Sequence, residues 1–149
     1  MSRSIRLALA LGVVAALVFA STTAAAGGRK VFSSTMVGLP TGSLVLDGLT
    51  GGGVPWSIDE GTATLTSDGR LHVEVQGLVV TSTGVNPVTT GGRAIVACDG
   101  APVASTGIVA FSATGDAEVD AQVNLPSPCL DVAVFFTTAT NKWLAVTGI

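Results

Sequence analysis

Tyrosine is absent from this 149-residue chain, histidine occurs once, at His72, and lysine occurs only at positions 30 and 142. Each scarcity excludes something. Nucleic acid and anionic membranes are held by clustered Lys and Arg, and no basic cluster exists beyond Arg29-Lys30. No serine sits in a Gly-x-Ser-x-Gly elbow, and the two cysteines lack Cys-x-x-Cys spacing or nearby histidines. The sequence therefore contains no recognisable activated nucleophile, redox pair or zinc clasp. Recognition surfaces lean on Tyr and Trp, so a chain with two Trp and no Tyr has little to build one from.

What is present begins with Arg3 and Arg6 ahead of an unbroken apolar run from Leu7 to Ala20, followed by small residues as far as Ala24-Ala25-Ala26. A charged start, a short apolar centre and an A-x-A end make a secretory signal peptide, whereas a membrane span needs about 20 apolar residues. An uncleaved anchor would draw on the absence of charge from Leu7 to Ala26, but Thr22, Thr23 and the alanines after Phe19 suit lipid poorly. Residues 1–26 are expected to form a signal helix cleaved near Gly27, leaving 27–149 as a single domain with no stable membrane association. No cysteine near the cleavage point offers a lipoprotein anchor, and Lys142–Ile149 lacks a wall-sorting tail. Loss of Arg3 and Arg6 takes the formal net charge from −3 to about −5.

Cys98 and Cys129 then face an oxidising space, which predicts one intramolecular disulfide. Closing a loop of that length removes about 3.5 kcal/mol of unfolded-state freedom in the chain-entropy model. The excess of Ala, Gly, Val and Thr, with Arg above Lys, fits a GC-rich bacterial genome and a β-rich exported protein.

From Thr62, the pattern Thr-Ala-Thr-Leu-Thr puts Ala63 and Leu65 on one face. Asp68-Gly69 supplies a turn, after which Leu71, Val73 and Val75 alternate with His72, Glu74 and Gln76, so Thr62–Gln76 reads as a β-hairpin. A second alternation runs from Ala117 to Leu125 and stops at Pro126. Further strands are expected at Lys30–Met36, Arg93–Cys98, Ile108–Ala113, Val132–Thr137 and Trp143–Thr147, with weaker ones at Ser43–Leu46 and Leu78–Thr81. Some seven to nine short strands punctuated by turns predict an all-β domain, an antiparallel β-sandwich of immunoglobulin-like architecture, with a small barrel as the alternative. Cys98 should end one strand and Cys129 open another. No tryptophan lies between the cysteines, so the immunoglobulin sequence signature itself is missing.

Three constellations could carry chemistry. Asp116, Glu118 and Asp120 alternate along one strand face, but same-face residues stand about 6.5–7 Å apart, and calcium needs oxygens converging at about 2.3–2.6 Å. A solvated face that discourages edge pairing is the expected role, and no metal is assigned. His72 shares its strand face with Glu74, a conceivable general-base pair that lacks a nucleophile. Trp56 with Asp59 and Glu60 holds the ingredients of a carbohydrate- or small-ligand-binding site, although neighbouring strand residues point to opposite faces.

The stretch from Pro55-Trp56 through Leu78, with Asn86-Pro-Val88 and Leu125-Pro-Ser-Pro-Cys129, resembles small uncharacterised secreted β proteins of actinobacteria. The resemblance implies secretion and paired cysteines, and brings no activity, ligand or catalytic residue. The expectation is a secreted non-enzymatic module without a cofactor, with a protein or a glycan as the partner class. The alternative is a ligand-binding module using Trp56 with Asp59 and Glu60, and below it a small hydrolase using His72.

Overall fold

A computed structural model describes residues 27–148. The expected signal helix, residues 1–26, lies outside them. Among the described residues there is no helix, and so none long and apolar enough to cross a membrane.

The strands are β1 (Lys30–Gly38), β2 (Val45–Leu46), β3 (Leu49–Thr50), β4 (Trp56–Ser57), β5 (Glu60–Thr66), β6 (Arg70–Gln76), β7 (Val79–Val80), β8 (Gly92–Cys98), β9 (Ala101–Ser105), β10 (Ala117–Gln122), β11 (Ala133–Thr138) and β12 (Trp143–Thr147). Eight of them form one antiparallel sheet in the order β10-β6-β5-β1-β12-β11-β8-β9, curled into a half-barrel. The remaining four make two short pairs, β2-β3 and β4-β7. The hinge of the curl is β1. Its first part, Lys30–Thr35, pairs with β5, and its last, Met36–Gly38, pairs with β12. At Gly38 the chain passes so close to the Trp56 carbonyl that any side chain would collide with it.

The two ends of the sheet are built differently. In β5 and β6, Ala63, Leu65, Leu71, Val73 and Val75 are buried while the residues between them face outward, which is the alternation of a sheet with one wet face. In β8, β11 and β12 almost every residue is buried. The segment before the β2-β3 hairpin reaches that end, where Trp143 Nε1 donates to the Leu44 carbonyl at 3.1 Å and Trp143 packs edge-on to Phe135. Continuous apolar runs in these strands are thus the signature of cover on both faces.

The hairpin of β5 and β6 closes as the sequence demands: Gly69 N–H donates to Thr66 C=O at 2.9 Å, with Gly69 at φ +84°. A type I turn followed by a left-handed residue is a favoured three-residue hairpin loop, and glycine adopts it without strain. Two expectations are corrected. Ile108–Ala113 is not a strand; Val109 makes a single bridge to Gly92, and Phe111 packs edge-on against Phe136, so its apolar residues serve core filling rather than a ladder. Cys129 opens no strand but lies in the loop before β11, bonded to Cys98 at the end of β8 with Cα atoms 5.3 Å apart. The edge strand β9, unforeseen, carries Pro102 and mostly exposed residues. Pro is tolerated at an edge, and no alternation is imposed where neither face is covered.

Candidate functional site

The outer face of β5, β6 and β10 gathers the titratable groups. Since β6 pairs with β5 on one side and β10 on the other, the register sets Thr64, His72 and Asp120 in one row across the three strands. The next row is Thr62, Glu74 and Glu118. His72 Nδ1 lies 2.8 Å from Asp120 Oδ1 and 3.9 Å from Glu118 Oε1. An ionised carboxylate only accepts hydrogen bonds, so at 2.8 Å the ring donates its Nδ1–H to Asp120. The arrangement is open: the side chains of His72, Glu118 and Asp120 are 41%, 64% and 71% exposed.

His72 therefore has Asp120 as its partner, 48 residues away in sequence, and not Glu74. Glu74 instead accepts from Gln76 Nε2 at 2.7 Å. An imidazole oriented by a carboxylate is two-thirds of a hydrolytic triad. Thr64 stands beside it in register, yet no hydroxyl among the described residues is hydrogen-bonded to the ring. The face is also wet, where an oxyanion would gain little from fixed dipoles.

Asp116 leaves the row that the sequence places it in. It precedes β10 and accepts from Gly77 N–H at 3.0 Å, Thr114 Oγ1 at 2.6 Å and Ser112 Oγ at 3.2 Å. The Thr114 hydroxyl, then the Gly77 amide and the Ser112 hydroxyl, favour its charged form and hold its pKa below the ordinary aspartate value. Asp68 is lowered similarly, by the Thr66 hydroxyl and then the Gly28 amide. Both carboxylates are loop fasteners, so the three acids Asp116, Glu118 and Asp120 do not act as one set.

Trp56 sits in β4, paired with Val80 and only 5% exposed. Asp59 and Glu60 are exposed nearby, where β4 passes into β5. The indole is thus a core residue with no face offered to a sugar ring, and the three residues do not form one surface. Its Nε1 is buried without a hydrogen-bond partner among the described residues.

Sequence reasoning missed the pairing of His72 with Asp120 and Glu118. The available signal was that both alternating segments turn polar residues outward. Adjacency and register of the two strands are long-range properties, and a one-residue slip would have put Asp120 on the core side. Compared with protein-family models, curated proteins and solved structures, the chain has no match in any of the three.

Proposed function

We propose that this chain is an exported, non-enzymatic β protein of a bacterial envelope or exterior, serving as a structural or interaction module. The observation that carries the reading is the bond between Cys98 and Cys129, because structural disulfides persist in oxidising compartments and are rare where glutathione and thioredoxin act. The Arg3–Ala26 leader pattern supports the same address. The actinobacterial origin belongs to this proposal, resting on composition and on the resemblance of the Pro55–Leu78 stretch. So does the finer description of the fold as an immunoglobulin-like β-sandwich, in which the two ends of the curled sheet would be the facing layers.

A module reading also suits the outer face. His72 and Asp120 are oriented but open to water, and efficient general-base catalysis wants a positioned nucleophile within hydrogen-bond reach. The carbohydrate alternative loses its platform with Trp56 in the core.

The deciding experiment is expression in an exporting bacterium, followed by intact mass and thiol titration of protein from the medium. The expected product starts near Gly27 and has no free thiol after denaturation without reductant. A mass retaining Leu7–Ala20, strict membrane retention or two reactive thiols would overturn the proposal.

A further inference from the structure

We propose that His72, Glu118 and Asp120 form a surface site for one divalent first-row transition-metal ion of zinc-like chemistry. The inference is independent of export and of the role proposed above.

The spacing that excludes calcium along β10 does not apply across the strands. Donor atoms of His72, Glu118 and Asp120 all lie within 4.8 Å of one another. The separations from His72 Nδ1, 2.8 Å to Asp120 and 3.9 Å to Glu118, bracket the roughly 3.3–3.6 Å between donors around a tetrahedral ion with bonds of about 2.0–2.2 Å. Small rotations of two exposed carboxylates would equalise them. In place of the shared proton the ion would take the Nδ1 lone pair, the neutral ring moving its proton to Nε2. Three protein ligands with water completing the shell make an open site.

The donor set chooses the metal. Calcium and magnesium demand oxygen ligands, six or more for calcium and a near-ideal octahedron for magnesium. Imidazole with two carboxylates suits zinc and its neighbours, and zinc tolerates irregular geometry because it has no d-electron preference.

Charge points the same way. Glu74 lies directly across from Glu118 in register, and like charges directly opposite on paired strands are unfavourable. No Lys or Arg among the described residues relieves them; Arg70, the nearest in sequence, is 3.4 Å from Asp68 instead. A cation at His72 would relieve a repulsion that the fold otherwise retains.

The test is calorimetric titration of zinc chloride into untagged protein dialysed against chelator, with the same titration for calcium. One Zn²⁺ per chain is expected, with His72→Ala and the isosteric Asp120→Asn each binding about tenfold more weakly or worse, and Glu60→Gln matching the parent. The His72 ring resonances should follow the titration and move to the Nε2–H pattern, a readout that a merely structural role would leave still. Metal-free melting temperatures of the variants should fall by no more than a few degrees, the cost of losing one exposed contact, so that folding and binding are separated. A His72→Ala protein that binds zinc as the parent does, or several weak ions per chain displaced equally by calcium, would overturn the site.

Discussion

His72 and Asp120 lie opposite one another on paired strands, with 2.8 Å between Nδ1 and Oδ1. Their contact joins the hairpin of β5 and β6 to a strand that follows β9 in the chain, on the wet side of the sheet. On the other side of the same strands, Val73 and Val119 are opposite each other and fully buried. The dry contacts carry the stability, and the wet ones add little to it.

Because the pair is exposed, its contribution to folding should be small. A double-mutant cycle with His72→Ala and Asp120→Ala should give a coupling of about 0.2–1 kcal/mol, while Leu71→Ala beside them should cost about 2–5 kcal/mol. Urea denaturation measures both, and a coupling above the cost of Leu71→Ala would contradict this division of labour.

Trp56 makes the sharpest case for core over surface. Its replacement by alanine should destabilise the protein by about 3–5 kcal/mol through the cavity left behind, read as a lower denaturation midpoint without any ligand. A variant of unchanged stability that no longer bound a polysaccharide retained by the parent would restore the indole as a binding platform.

The disulfide closes a sequence separation of 31 residues. Changing both Cys98 and Cys129 to alanine should cost about 2–5 kcal/mol, the usual range for a native bridge in a small secreted domain. Equal stability with and without reductant would show that the bond does not constrain the unfolded chain.

Acid should loosen the loop before β10. Asp116 has a lowered pKa in the folded protein, so between that value and the unfolded value of about 3.9 the unfolded chain binds more protons. Its stabilising contribution is present above about pH 4 and is lost as the pH falls through the folded pKa. Asp116→Asn should flatten the acid limb of a plot of melting temperature against pH. An unchanged limb would mean that the Thr114, Gly77 and Ser112 bonds do not hold the charge.

Calcium is the control for metal chemistry on this face. Asp116 is occupied by its loop and Glu118 and Asp120 are exposed, so millimolar calcium should leave the melting temperature unchanged. A cation bound by the native state alone would raise it by mass action, and such a rise would restore the acidic row as one site.

Local chemistry explains which elements could be read in advance. Alternation made the strands around Leu71–Val75 and at Ala117–Gln122 legible, and Asp68-Gly69 marked the turn between β5 and β6. The stretch Ile108–Ala113 misled because its apolar residues mimic a strand while packing singly, as Phe111 does on Phe136. Strand β9 was hidden for the opposite reason: an edge with neither face covered needs no pattern, and Pro102 argues against a strand everywhere except at an edge. At the candidate site, the outward placement of His72, Glu118 and Asp120 was legible, and their convergence was not.

By itself the sequence determined what depends on neighbours along the chain: an all-β domain, the faces of its strands, and two cysteines suited to each other. Only the tertiary structure decided what depends on which strands adjoin. The curl at β1 and the core position of Trp56 are of that kind. So is the meeting of His72 with Asp120, because a β-ladder joins residues far apart in sequence and its register comes from packing the whole core at once.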